Sequence, residues 1–189
     1  MTTTGSNELI LAFISSDGPN SANSARIAGV AGAGLTWTLR QRTNTQPGTA
    51  EIWQAVAPGP LSSATITATQ ASGSWQAAMT VVAFRGADTA TGAILGSNAS
   101  SGAPTATLTT TRAGSWIWGV GTDWSNPISH APGSNQTLVD QYLAPAGDTY
   151  WVQRQNSTTP TTGTPVTIND TFPTSDQWNL ASIEVLAAP

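Results

Sequence analysis

The chain contains no cysteine and no lysine. Without a thiol, the sequence excludes disulfide scaffolds, cysteine nucleophiles, zinc ribbons and iron–sulfur centres. Without a lysine amine, it also excludes Schiff-base chemistry, a P-loop and a lysine-dependent isopeptide cross-link. These absences remove several large classes of enzyme and of covalently stabilised domain.

Charge is scarce as well. Only 8% of the 189 residues are charged, and six arginines face ten acidic residues for a net charge of −4. Proteins that bind nucleic acid or anionic membranes need basic surfaces, so we expect neither partner. No run approaches the roughly 18 apolar residues that a membrane span requires, so we expect no membrane insertion.

The apolar residues that are present stand in short runs, separated by turn residues at the roughly 8–12-residue spacing typical of sandwiches and barrels. Leu35–Arg42 is the clearest run, because Leu35, Trp37 and Leu39 alternate with polar side chains. No window shows a sustained helical period, and glutamate is rare. We therefore predict an all-β fold with little or no helix.

Polar threonine faces that alternate with apolar faces predict antiparallel sheets that are wet on one side. Two such sheets packed face to face would give a β-sandwich of about twelve short strands. The first and last strands are both strongly apolar, so we expect each to lie inside a sheet and to pair with the other, as in a jelly roll. The predicted strands are Leu9–Ser15, Arg26–Ala31, Leu35–Arg42, Ala50–Ala57, Ala64–Gln70, Gln76–Phe84, a short Ala93–Leu95, Thr105–Thr111, Ser115–Thr122, Thr137–Leu143, Thr149–Gln155, Val166–Asn169 and Trp178–Leu186.

The length suits one domain with a sizeable core. We predict an N-terminal lead-in at residues 1–7 and a single β-sandwich domain at residues 8–187. The apolar pattern begins abruptly at Glu8, which favours the hypothesis that further sequence precedes Met1 in the natural chain. No repeat at a fixed period is visible in the sequence, which argues against propellers and solenoids.

Six segments carry a resemblance to a known group of modules. They are Leu35–Arg40 (LTWTLR), Thr49–Pro58 (TAEIWQAVAP), Met79–Gly86 (MTVVAFRG), Gly119–Trp124 (GVGTDW), Gly147–Gln153 (GDTYWVQ) and Asp170–Leu180 (DTFPTSDQWNL). On these the chain resembles a jelly-roll-like β-sandwich module of large secreted bacterial multidomain surface proteins, found beside fibronectin-III-like and Ig-like domains. The resemblance implies an extracellular or cell-surface location, neighbouring domains in a longer chain, and a non-catalytic role. It assigns no catalytic or ligand-binding residue.

The residues themselves show no catalytic constellation. His130 is the only histidine, and neither its neighbour Ser129 nor any G-x-S-x-G elbow makes a triad. We interpret His130 as a surface histidine of the loop Pro127–Gly133. Glycoside hydrolysis needs only two carboxylates, and Glu51 and Glu184 lie on predicted strands, so a carbohydrate-active enzyme stays a third alternative. We expect no enzyme.

Aromatic side chains on wet faces give the leading functional hypothesis. Trp151 alternates with Thr149 and Gln153, and Trp53 shares a face with Glu51. An indole offers a stacking surface to the C–H face of a sugar, while amides and carboxylates accept its hydroxyls. The predicted ligand residues are Trp151, Gln153, Trp53, Glu51, Trp124, Asp123 and Tyr142, with Asp140 on the same rim; Trp37, Trp116, Trp118 and Trp178 are predicted core.

A structural calcium is the one cofactor left open, because calcium prefers carboxylate and carbonyl oxygens of loops. Its weak candidates are Asp17, Asp88, Asp170 and Asp176, none of which matches an EF-hand. An aspartate in such a loop more often closes an Asx turn.

The sequence therefore favours a secreted, non-catalytic accessory module that binds a polysaccharide or a cell-surface glycan. A passive structural spacer is the closest alternative. A homo-oligomer assembled through its sheets is another, because interfaces are enriched in tryptophan.

Overall fold

The computed structural model describes all 189 residues. It contains fourteen β-strands and no helix, which confirms the predicted all-β fold. No helix that could cross a membrane is present. The strands are β1 Glu8–Ser16, β2 Ile27–Gly32, β3 Thr38–Thr43, β4 Thr49–Ala57, β5 Ile66–Gln70, β6 Ala77–Phe84, β7 Ile94–Ala99, β8 Thr105–Thr109, β9 Trp116–Asp123, β10 Ala131–Pro132, β11 Gln136–Leu143, β12 Thr149–Gln155, β13 Pro165–Phe172 and β14 Trp178–Val185. Only the two-residue β10 has no counterpart among the predicted strands.

Two central sheets form the body of the sandwich. Their strand orders are β3-β4-β1-β6 and β11-β12-β9-β14-β7, with every neighbouring pair antiparallel. They pack face to face through a core to which Leu11 and Phe13 of β1 and Trp118 and Val120 of β9 contribute. The rings of Phe13 and Trp118 stack with centroids 5.5 Å apart. The sandwich is thus held by apolar contact between the inner faces of these two sheets.

A smaller sheet covers the outer face of each central sheet. The pair β2-β5 packs on the first through Ile27, which contacts Ile14 and Trp53. The sheet β10-β13-β8 packs on the second through Val166 and Ile168. The molecule is therefore four layers thick, and β1 and β14 are buried at every residue.

The same strand topology occurs twice in the chain. Strands β1–β6, the first half, build β3-β4-β1-β6 and β2-β5; strands β9–β14, the second half, build β11-β12-β9-β14 and β10-β13. The corresponding edge strands even share a bulge, between Leu39 and Gln41 in β3 and between Leu138 and Asp140 in β11. The two halves are therefore pseudo-equivalent units, whose central sheets pack face to face.

The second half carries two strands that the first half lacks. β7 extends its central sheet beside β14, and β8 extends its outer sheet beside β13. The corresponding edges of β6 and β5 pair with nothing.

The first and last strands lie inside their sheets, as expected, but their predicted pairing is wrong. β1 pairs with β4 and β6, whereas β14 pairs with β7 and β9. Each half builds its own central sheet, so the first and last strands are in different layers. The all-β sandwich is confirmed, and its jelly-roll type is not.

Candidate functional site

The exposure predicted for Trp151 and Gln153 is wrong. Trp151 is 1% exposed and Gln153 is fully buried, because the outer sheet β10-β13-β8 covers the face that the alternation marked as wet. The indole lies over Gly121 of the neighbouring strand, where a Cβ would come within 2.1 Å of it. Trp151 is therefore a core residue.

Trp53 and Glu51 are buried in the same way under the sheet β2-β5. The Glu51 carboxylate accepts hydrogen bonds from Nε of Arg42 at 2.8 Å, from Nε1 of Trp53 at 2.9 Å and from the backbone N–H of Ile27 at 2.7 Å. The donors that the Glu51 carboxylate needs all come from the protein itself. Glu51 and Trp53 therefore stabilise the first half and do not face a ligand. Their predicted exposure is wrong.

Glu184, the other carboxylate considered for glycoside hydrolysis, lies in the opposite central sheet. It accepts hydrogen bonds from the backbone N–H groups of Ala93 and Thr111. Burial alone would raise the pKa of Glu184, but these hydrogen bonds outweigh it and lower the pKa. Glu51 and Glu184 are thus separate structural anchors and do not form a catalytic pair.

His130 is not a surface histidine; it is 5% exposed and its ring stacks on Trp151 at 3.9 Å. Its Nδ1 lies 2.8 Å from Oδ2 of Asp170, and its Nε2 lies 3.3 Å from Oδ2 of Asp123. Burial alone would lower the pKa of His130, but the hydrogen bonds to the two carboxylates outweigh it and raise the pKa. Both ring nitrogens are occupied, so none is left to activate a serine. Asp123, predicted on a ligand-binding rim, is buried beneath the surface in this network.

A cleft of about 330 Å³ opens where the two halves meet. The loops that follow β1 and β5 supply Asp17, Asn20 and Trp75, and the loops that follow β9 and β11 supply Trp124 and Asp148. Trp75 is 40% exposed, and Trp124 is half-buried. We call it the Trp75–Trp124 cleft; it holds two indoles, two carboxyl groups and an amide.

Trp75 is presented by a short turn that its neighbours hold in place. The Gln70 side chain accepts from the Trp75 N–H at 2.8 Å and donates to the Trp75 carbonyl at 2.9 Å. Gly73, with φ +69°, makes room for the indole, since a Cβ there would lie 2.4 Å from Nε1 of Trp75. The exposed indole is therefore positioned before any ligand arrives.

Asp148 is a buried carboxyl group in the lining of the cleft. Tyr150 donates its hydroxyl to Oδ2 of Asp148 at 2.9 Å and accepts from the backbone N–H of Asp17 at 2.9 Å. Burial raises the pKa of Asp148 to about 6, with the Tyr150 hydrogen bond opposing it and the negative charges of Asp17 and Asp123 adding to it. Burial likewise raises the pKa of the Tyr150 hydroxyl, so it stays a donor.

The raised pKa of Asp148 predicts a pH-dependent stability. The native state binds this proton more tightly than the unfolded chain, so the stabilising contribution is present below pH 3.8 and is lost as the pH rises through about 6. We expect Asp148→Asn to raise the melting temperature at pH 8 relative to the unmodified chain, and the gain to shrink toward pH 4. Asp140→Asn, at an exposed carboxyl, is the control. An equal gain at every pH would contradict the assignment.

The pseudo-equivalent junction on the other side of the repeat is filled. The Gln46 N–H donates to Oδ1 of Asn179 at 3.0 Å, and the Gln177 amide donates to Oε1 of Gln46 at 2.7 Å. Asn179 also donates to the Gln46 carbonyl at 3.2 Å, and Gln46 donates to Oδ1 of Asn98 at 3.1 Å. This network, the Gln46 plug, leaves no cleft of the same kind.

The strand registers show how the two junctions differ in sequence. Ser16 pairs with Thr49 and Ala77, and Asp123 pairs with Thr149 and Trp178, so Thr49 corresponds to Thr149 and Ala77 to Trp178. Three residues before Thr49 and Thr149 lie Gln46 of the plug and Ala146. One residue after Trp178 and Ala77 lie Asn179 of the plug and Ala78. Both positions thus carry a methyl group in place of an amide, and Ala146 lies in the lining of the cleft, whereas Ala78 lies outside it.

Of the predicted ligand residues, only Trp124 lines the cleft. Tyr142 is 41% exposed but lies outside it, donating to Oε1 of Gln76 at 3.2 Å. Asp140 accepts from Thr80 at 2.6 Å, also outside it. Trp118 and Trp178 are core as predicted, whereas Trp37 and Trp116 are half-buried. Sequence reasoning missed Trp75, although an indole among the small polar residues Ser72–Gln76 has no apolar alternation to join and could have been noticed.

The four calcium candidates are scattered. Asp88 pairs with Arg112 at 2.6 Å, Asp170 contacts His130, Asp176 accepts from Asn126 at 3.4 Å, and Asp17 lines the cleft. No group of three or more histidine, aspartate or glutamate side chains is arranged to hold a metal ion.

Comparison of the chain with protein-family models, with curated proteins and with solved structures returned no match.

Proposed function

We propose that the chain is a non-catalytic accessory module that binds a glycan in the Trp75–Trp124 cleft. The observation that carries the proposal is the pairing of two accessible indoles with the carboxyl groups of Asp17 and Asp148 at the one junction that the Gln46 plug does not fill. A volume of about 330 Å³ lies in the range of small-ligand sites.

The chemistry of the lining suits a neutral sugar. The indoles offer flat apolar surfaces for its C–H faces, and Asp17, Asn20 and Asp148 offer acceptors for its hydroxyls. None of the six arginines lines the cleft, so an anionic ligand would meet carboxylates with no compensating cation.

An extracellular or cell-surface location belongs to the same proposal. It is supported by the resemblance of the sequence to modules of secreted bacterial multidomain proteins and by the low charge content of the chain. A module of this kind would bring neighbouring domains to a polysaccharide or to a cell-surface glycan.

A carbohydrate-active enzyme is the second candidate, and one observation favours it. Asp17 and Asp148 line the same cleft, and burial raises the pKa of Asp148 to about 6, as a general acid requires. Release of reducing sugar by the unmodified chain, abolished by Asp148→Asn, would establish that alternative. If no saccharide binds or is cleaved, the passive spacer replaces both.

Titration calorimetry against a panel of neutral oligosaccharides tests the binding proposal. We expect Trp75→Ala and Trp124→Ala each to weaken binding by about tenfold or more, because each removes about 1.5 kcal/mol or more of stacking. Tyr142→Ala is the matched control, since Tyr142 is 41% exposed against 40% for Trp75 and lies outside the cleft. Equal losses in Tyr142→Ala and Trp75→Ala would show that the cleft is not the site.

A further inference from the structure

A second open feature lies on the first half, between the free edges of β5 and β6. This groove has a volume of about 570 Å³ and is lined by uncharged side chains, including Ile14, Ile27, Ile66, Ala68 and Met79. Both strands present unpaired backbone groups along it, since β6 ends its sheet and β5 pairs only with β2. Free strand edges are templates for added strands.

The repeat shows what occupies the same position in the second half. There β7 pairs with β14 and β8 pairs with β13, so both edges are covered by strands of the chain itself. As a result β14 is buried throughout, whereas its counterpart β6 is buried only at Phe84. Leu180 is fully buried, and the corresponding Met79 is half-buried.

The edge strands β3 and β11 of the central sheets also differ in how well they are covered. Thr43 of β3 is 5% exposed, because Gly96 of β7 packs so closely that a Cβ there would lie 2.5 Å from Oγ1 of Thr43. The residue that corresponds to Thr43 is Tyr142 of β11, which is 41% exposed. An apolar ring is thus uncovered where the counterpart of β7 would lie.

Residues Met1–Thr3 reproduce the end of the β8 region. The Thr3 N–H donates to the Leu61 carbonyl at 3.0 Å, and the Leu61 N–H donates to Oγ1 of Thr3 at 3.0 Å. Thr110 makes the same two bonds with Thr164, at 3.0 and 3.1 Å. Thr3 therefore corresponds to Thr110, and Met1 to Leu108; the remainder of β8 and all of β7 have no counterpart.

We propose that the groove between β5 and β6 binds two extended strands of a partner polypeptide, which complete the first half as β7 and β8 complete the second. None of the 189 residues covers the groove, so its occupant is not one of the strands described above. β8 indicates their chemistry: Ala106 and Leu108 are buried, and the threonines that alternate with them are exposed. The partner segment is thus uncharged, alternately apolar, and antiparallel to β5 and β6.

A strand pair taken from the chain itself is the probe. A second copy of residues 92–107 is placed directly before Met1, so that its last residue adjoins the counterpart of Leu108 with the spacing of the second half. The tether raises the effective concentration of the strands. We expect hydrogen exchange at alternate amides of β6 to slow by about tenfold or more, and the melting temperature to rise, as edge amides gain partners.

The control carries the same added copy with prolines in place of the copies of Leu95 and Ala106, which cannot join a ladder. If the two fusions give the same exchange rates in β6 and the same melting temperature, the groove does not accept strands and the proposal fails. The free peptide of residues 92–110, added to the unmodified chain, should slow the same amides. A concentration-dependent dimer of the unmodified chain that protects β6 would assign the groove to a second copy and would also overturn the proposal. These measurements read β6 amides without added sugar, so they are independent of the glycan proposal.

Discussion

Replacing Trp151 by alanine is expected to lower the free energy of unfolding by about 3–5 kcal/mol, the range for deleting a large buried aromatic side chain. The indole is 1% exposed, fills the space over Gly121 and stacks on the ring of His130. Its removal leaves a cavity beside a buried histidine and two buried carboxylates, where a partial collapse cannot restore the lost contacts. Chemical denaturation of the variant and the unmodified chain measures the loss.

Trp75→Ala is the matched control, because it deletes the same side chain at a position that is 40% exposed. Its effect on the free energy of unfolding should stay below about 1 kcal/mol. If Trp151→Ala proves as mild as Trp75→Ala, the indole of Trp151 is not part of a packed core and the assignment of the covered face is wrong.

Filling the cleft at the open junction with a longer side chain is expected to abolish glycan binding. The variant Ala146→Gln places the residue type of the corresponding Gln46 in the lining of the cleft, to which Ala146 belongs. The longer side chain takes up space in the cleft that a bound sugar would need. We expect affinity to fall by about 100-fold or more, equivalent to roughly 3 kcal/mol of lost contacts, with little change in stability.

The converse variant, Gln46→Ala with Asn179→Ala, removes the existing plug and is the control. It deletes a buried hydrogen-bond network and should lower the melting temperature, while leaving saccharide affinity unchanged because Trp75 and Trp124 are at the other junction. An Ala146→Gln variant that binds as tightly as the unmodified chain would contradict the location of the site.

The strands of this fold can be predicted from the sequence because alternation and turn residues are local signals. Thr149–Gln155 was predicted with the bounds that the structure has, and the ends of most other strands differ by one to three residues. β10 was missed because two residues, one of them proline, carry no period.

The exposure of each strand face could not be predicted, because alternation was interpreted as one buried and one solvent-exposed face. In β12 both sides are dry: Tyr150 and Val152 lie on one face and Thr149, Trp151 and Gln153 on the other, all buried. A covered face can carry threonine and glutamine when their polar atoms find partners, as Thr149 does with the Ile128 carbonyl at 2.9 Å. The alternation in the central strands therefore does not reveal that outer sheets cover them.

The repeat was equally hidden from the sequence. Corresponding positions keep their place in the fold but not their chemistry: Glu51 corresponds to Trp151, and Trp53 to Gln153. Each half therefore solved the packing under its outer sheet differently, one with an arginine–glutamate pair and the other with an indole on a histidine. The cleft lies at such a divergence, since Ala146 in its lining corresponds to Gln46 of the plug.

The indole N–H resonances of the eight tryptophans give the most direct measurement of the central claim. In a nitrogen–proton correlation spectrum, assigned with single Trp→Phe variants, a bound neutral oligosaccharide should shift the signals of Trp75 and Trp124. The signals of the buried Trp53, Trp118, Trp151 and Trp178 should stay in place. If no saccharide of the panel moves the signals of Trp75 and Trp124, or if those of the buried indoles move instead, the Trp75–Trp124 cleft is not a glycan-binding site.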